Sequence, residues 1–209
     1  MLALALLSPA FAAPYFGVDY VPFGRQDLAW VDSGQESGAL VGEFDGMVDP
    51  SLTAQAGPLW DQSALLFGLG VAWTSTTVHA GNDVSSTHAG TIRPSVDYRL
   101  YLRDREAGHA DGFAQLGAYG LIPTAATKSD AFSNDEQDDA DKEAEELRSR
   151  LGGFGVRGGI GADISWDSGL TLGARYVIAA HRGAAKVSDS TTTSVLVYGE
   201  AGIFLGFVL

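Results

Sequence analysis

Apolar and polar residues alternate along most of this chain. Between Thr87 and Arg103 the even positions include Ile92, Val96, Tyr98, Leu100 and Leu102, while the odd positions include Arg93, Asp97, Arg99 and Arg103. A period of two marks a strand with two unlike faces. From Leu151 to Trp166, Phe154, Val156, Ile160, Ala162, Ile164 and Trp166 share one face, opposite several glycines, Arg157 and Asp163. From Leu170 to Ile178, Leu172, Ala174 and Tyr176 oppose Thr171, Gly173 and Arg175. The final strand, Val195 to Leu209, sets Val195, Val197, Ala201, Ile203, Leu205, Phe207 and Leu209 against Tyr198, Glu200 and Gly202.

Weaker alternation predicts strands over Gln62 to Thr74, Gly112 to Ile122 and Tyr15 to Pro22, where Asp19 falls on the polar face. A faint one near Ala39 to Asp45 completes a set of about eight, the smallest even-numbered membrane barrel. Asp167-Ser168-Gly169 suits a three-residue hairpin closed by a left-handed glycine. Pairing Trp166 with Leu170 across it keeps the apolar faces together. It also sets Asp163 opposite Gly173 and diagonal to Arg175, within reach of an ion pair. Pro94 removes a ladder donor, which predicts a bulge or an irregular hydrogen bond there.

A greasy face opposite a charged face fits an all-β, antiparallel, up-and-down transmembrane barrel with lipid outside and a polar lumen. Its soluble counterpart is a lipocalin-like barrel with the apolar face turned inward. No mature segment approaches the roughly 20 apolar residues of a membrane-spanning helix, so a closed barrel is the available way to cross a bilayer. Short turns belong on the periplasmic side and long loops outside. The Asp167 to Gly169 turn is therefore periplasmic, and the outer loops lie near Arg25 to Gly38, Ser75 to Ser86, Thr124 to Arg150 and Arg182 to Ser190. This leaves one long periplasmic connection, Gly46 to Asp61.

The 209 residues suffice for about one domain. The apolar run Met1 to Leu7, followed by an A-x-A site at Ala10 and Ala12, predicts a signal peptide over residues 1–12, its missing positive n-region suggesting a start that is truncated or minimal, and a barrel domain over 13–209. The absence of cysteine agrees with export without disulfides. A net charge of −13 argues against nucleic acid as a partner. Residues 130–146 hold nine acids and one base, Lys142. A capping box at Ser133 to Glu136 and helical spacing of Ala140, Ala144, Leu147 and Leu151 predict a short acidic helix in that outer loop.

The start Y-F-G-V-D-Y at Tyr15, R-P-S-V-D-Y-R-L-Y-L at Arg93, G-G-I-G-A-D at Gly158, L-G-A-R-Y at Leu172 and the last strand together resemble the small OmpA/OmpX-like outer-membrane barrels of Gram-negative bacteria. Glu200, Gly202, Leu205, Phe207 and Leu209 are similar to the C-terminal sorting signal of such barrels, with Leu205 in place of the usual aromatic and Leu in place of a final Phe. The resemblance implies outer-membrane location. Its partners would be outer-membrane lipid, lipopolysaccharide and, during insertion, the barrel-assembly machinery. It implies no active-site motif.

The candidate functional residues are the inward charges Asp19, Arg93, Asp97, Arg99, Arg157, Asp163, Arg175 and Glu200. An eight-stranded barrel is just wide enough to be filled by its own side chains, and buried charge there must be paired. The expected role is a structural or interaction protein of the cell envelope, a monomer, with its lumen filled by this network. The alternative is a narrow porin-like channel, with inward glycines leaving room for water or for arginine stems. A lipid A-modifying or proteolytic enzyme ranks lowest. The histidines His79, His88, His109 and His181 form no dyad spacing, and His181 near Ser194 is the best remaining pair. No catalytic residue, cofactor or metal site is expected, and the D-x-D-x-D-G spacing of a calcium loop is absent.

Overall fold

Every strand pairs antiparallel with its neighbours in sequence, and the last closes onto the first. A computed structural model describes residues 12–25, 47–80, 83–129, 152–187 and 190–209. It shows a closed eight-stranded barrel in the order β1 to β8. The strands are β1 Ala13–Arg25, β2 Met47–Leu59, β3 Ser63–Ala80, β4 Asp83–Tyr101, β5 Ala110–Ser129, β6 Gly153–Ser165, β7 Leu170–Val187 and β8 Ser190–Val208. The seam between β1 and β8 runs from Tyr15 opposite Val208 to Tyr20 opposite Ile203, then shifts before Phe23.

Alternation becomes burial here, with the usual sense inverted. Phe16, Val18, Phe67, Leu69, Val96, Leu116, Val156, Ile160, Leu172, Ile178, Ile203 and Leu205 lie exposed on the outer wall. Asp19, Arg93, Asp97, Arg99, Arg157, Arg175 and Glu200 lie buried inside. A lipocalin-like barrel would show the opposite arrangement.

One end carries short turns: residues 60–62, 102–109 and 166–169. Both termini of the barrel meet there, where Leu209 N–H donates to Pro14 C=O at 3.0 Å. The 166–169 turn is the expected hairpin. Trp166 N–H donates to Leu170 C=O at 2.9 Å, Gly169 N–H donates to Trp166 C=O at 2.8 Å, and Gly169 has φ +85°. That backbone conformation favours glycine.

The structure corrects several expectations. The second strand is Met47–Leu59, inside the stretch read from sequence as a long periplasmic connection. Residues 39–45 lie outside the described residues. The strand was hard to see because its outer face offers one large apolar residue, Leu52, followed by Ala54, Ala56 and Pro58, while its inner face is the neutral set Ser51, Thr53 and Gln55. Two further outer loops are hairpins instead. β3 and β4 stay paired up to Ala80 opposite Asp83, and β7 and β8 up to Val187 opposite Ser190. Threonine and valine are frequent in these extensions, and β-branched residues favour strand. The irregular pairing expected at Pro94 is present as a gap in the β4–β5 ladder at Arg93 and Pro94, but no bulge forms there: Pro94 stays opposite Leu69, and the β4–β5 register is the same on both sides of the gap. The shift falls instead between Gly90 and Thr91, opposite Ala125 and Pro123. The acidic helix and residues 1–11 of the signal peptide lie outside the described residues.

Ile160 points out of the wall and is 68% exposed. With the barrel in a bilayer, an arginine at an outward position near the midplane should cost about 2–4 kcal/mol. Urea unfolding of Ile160→Arg in lipid vesicles measures this, and an unchanged midpoint would contradict the assignment of faces on β6.

Candidate functional site

The inward faces of the strands build three stacked layers. The middle layer is ionic. Arg93 on β4 donates both terminal nitrogens to Glu200 on β8, at 2.5 and 2.9 Å, as a two-point pair. Arg157 on β6 donates from Nε to Asp97 on β4 at 2.7 Å and makes a second bond to the same carboxylate through Nη2. Gln115 Nε2 adds a third donor to Asp97 at 2.8 Å. Arg175 on β7 grips Asp19 on β1 at 2.7 Å from Nε and 2.5 Å from Nη2. Glu200 lies 3.9 Å from both Arg157 and Arg175, which joins the three pairs into one network. Arg93 and Arg157 engage both oxygens of their carboxylates, the strong geometry for a planar fork, whereas Arg175 places both nitrogens on Asp19 Oδ2.

Arg99 is bound differently. Its side chain donates to Gln115 and Gln55 carbonyl oxygens at 3.4 Å each. Its guanidinium carbon lies 4.8 Å from the Phe113 ring centre and 4.3 Å from that of Phe204. Arg99 thus joins the ionic layer to the aromatic layer at the turn end, where Tyr15, Leu59, Ala64, Leu66, Tyr101, Phe113 and Phe204 pack together. Asp163 belongs to that end as well. It accepts from Tyr101 Oη at 2.8 Å and pairs with Arg105 at 3.3 Å. Toward the loop end, Tyr198 donates its hydroxyl to Tyr119 at 2.7 Å, Arg93 lies 4.7 Å over the Tyr119 ring, and His181 stacks on it at 5.9 Å.

All eight candidate residues point inward and are buried, but one expected contact is absent. Asp163 does face Gly173 across the strands, yet Arg175 pairs with Asp19 and not with Asp163. The Phe204 ring lies on Gly173, 2.2 Å from where a β-carbon would stand, and fills the space between them. Three other inward glycines have the same use. Tyr119 lies on Gly155, Phe113 on Gly161 and Tyr15 on Gly206, each too close to admit a β-carbon. Rings of neighbouring strands occupy the space beside these glycines, and Val177 takes it at Gly159.

Sequence reasoning missed Gln55, Tyr101, Arg105, Asp111, Gln115, Tyr119 and Tyr198. Parity on β5 carried a usable signal: Asp111, Gln115 and Tyr119 alternate with Gly112, Leu116 and Ala118. Gln55 was hidden because its strand was. Of the terminal motif, Glu200 sits in the network, Gly202 lies against Asp19, and Leu205, Phe207 and Leu209 face outward. His181 is buried and opposes Leu196, while Ser194 opposes Gly183. His109 is exposed near Glu106. No group of three or more potential metal ligands occurs among the described residues.

No protein-family model matches the sequence, and no curated protein sequence does. The fold is similar to the crystal structure of the outer membrane protein OprG from Pseudomonas aeruginosa, with a TM-score of 0.50 and 11% identity over 94% of this chain and 96% of that one.

The network is dry enough for a sharp test. Arg175 and Asp19 side chains are each about 1% exposed. Arg175→Met leaves an unpaired buried carboxylate and should cost about 3–5 kcal/mol. Arg175→Met combined with Asp19→Leu should cost less than the single change, because no lone charge remains. Equilibrium unfolding of both variants measures the order. A double variant weaker than the single by the full cost of a second lost charge would contradict a paired, dry lumen.

Proposed function

We propose that this chain is a small outer-membrane barrel of the OmpA/OmpX-like kind with a structural or interaction role in the cell envelope, its lumen closed by its own side chains. The observation that carries this is the inverted burial: an apolar, exposed wall around a charged, buried interior. Such a wall would drive association in water, and in a bilayer it is the surface that lipid requires. Residues 1–12 then act as an export signal, and Glu200, Gly202, Leu205, Phe207 and Leu209 as the sorting signal read by the barrel-assembly machinery. The barrel works as a monomer among outer-membrane lipid and lipopolysaccharide, without a cofactor.

Three stacked layers support a plug more than a path. The aromatic layer, the ion pairs and the Tyr119–Tyr198 pair each span the lumen from several strands. Among the described residues, the carboxylates of the middle layer are held by arginines and His181 is stacked on Tyr119, which supports a structural role for them. The barrel then offers its loop end to partners while the lumen stays shut.

Purified protein in planar bilayers tests this function. Heat-modifiable migration on gels with no ion conductance at moderate voltage is expected. A steady, ohmic conductance would replace the plug with a narrow channel, and full solubility without detergent would remove the membrane placement.

A further inference from the structure

The described part of the outer wall carries charge at one point. Among the described side chains, Arg182 on β7 is the only charged group on the outward face of the strands. It is exposed and makes no ion pair or hydrogen bond among the described residues. A cation facing hydrocarbon is costly, so its height matters. From Leu170 at the turn end to Arg182, at about 3.3 Å per residue along a strand tilted by about 40°, the chain climbs roughly 30 Å. The apolar band of such barrels is about 25 Å tall. Arg182 therefore stands at the outer edge of that band, level with lipid phosphates.

The wall beside it is hollow. Leu116 opposes Gly158, which opposes Ile178; in the next row Ala118 opposes Val156, which opposes Ala180. The small residues Ala118, Gly158 and Ala180 form the floor of an open apolar groove of about 540 Å³. In the row above, Phe154 opposes Arg182. Ala180, the groove's last residue on β7, lies two positions before Arg182 on the same face of that strand, so the cation stands one row above the groove.

We propose that this groove binds one phosphorylated acyl lipid of the outer leaflet, with an acyl chain lying over Ala118, Gly158 and Ala180 and the phosphate accepting from Arg182. The assignment rests on the outer-membrane placement proposed above. The apolar floor selects a chain, and the guanidinium one row above it selects a phosphate, for which arginine is well suited by its fork of donors. An isolated arginine on a flat wall would attract anions without retaining a particular lipid. A groove without a charge would hold any acyl chain.

Native mass spectrometry of the purified full-length barrel, loaded with phosphorylated lipid A or with its dephosphorylated form, tests the site. Wild type should retain the phosphorylated form roughly tenfold better, as expected for one charge-assisted hydrogen bond. Arg182→Gln should lose that preference. Gly158→Leu, whose new β-carbon meets only the flexible end of Leu116 at 3.2 Å and the Gln115 carbonyl at 3.8 Å, should lower retention of both forms, and Ala118→Leu should do the same if Gly158→Leu fails to fold. Equal retention of the two lipids by wild type, wild-type preference in Arg182→Gln, full retention by the groove variants, or displacement by millimolar inorganic phosphate alone would each overturn the site. Heat-modifiable migration of the same samples separates these results from failure of the membrane placement, which would show as a wild-type chain that forms no barrel in detergent.

Discussion

Ion pairing across the lumen is the constraint on which this barrel depends. The backbone ladder ties each strand only to its two neighbours. The side-chain pairs tie strands that never touch: β4 to β8 through Arg93 and Glu200, β4 to β6 through Asp97 and Arg157, and β7 to β1 through Arg175 and Asp19. Removing an ion from water costs several kcal/mol, so each of these charges is tolerable only with its partner in place. Three carboxylates and three arginines pair with one another at the centre, leaving Asp19 Oδ1, Arg93 Nε and Arg175 Nη1 without a hydrogen bond. The last pair reaches across β8 to the first strand, so the seam is braced from inside as well as zipped by backbone hydrogen bonds.

Glycine and aromatic residues complete the filling in a way that depends on closure. Phe113, Phe204, Tyr119 and Tyr15 each lie on a glycine, Tyr119 and Phe113 across from β5 onto β6, Phe204 from β8 onto β7, and Tyr15 from β1 onto β8. A side chain on those glycines would meet the ring. A ring without the glycine would have to point elsewhere. The narrow interior of an eight-stranded barrel leaves no room for both. Arg99, lying on Phe113 and Phe204 while bonded to Gln55 and Gln115, joins this aromatic layer to the ionic one.

Much of this architecture was legible in the sequence, and the parts that were not share a cause. Where the two faces differ strongly, as on β4, β6, β7 and β8, alternation gave strand, face and even the Asp163 to Gly173 register. Where they differ little, as on β2 with alanines outside and Ser51, Thr53 and Gln55 inside, the strand looked like a loop. The inward residues of the network could be named from parity, but their partners could not. Parity says that Asp163, Asp19 and Arg175 share the lumen; it does not say that a Phe204 ring separates the first from the last. Pro94 shows the same limit. A missing donor predicts a local defect, and the β4–β5 pairing is interrupted there, but the register shift itself falls at Gly90 and Thr91, where β5 carries an extra residue.

The central claim is a shut, dry lumen inside an apolar, exposed wall, and the absence of native cysteine allows it to be tested directly. Ala179 points inward between Tyr119 and Tyr198 and is 0% exposed. In the folded barrel, a single cysteine introduced as Ala179→Cys should resist a small water-soluble thiol reagent and react only after unfolding. Rapid labelling of that cysteine in the folded barrel would contradict the account, because it would show water standing in the lumen.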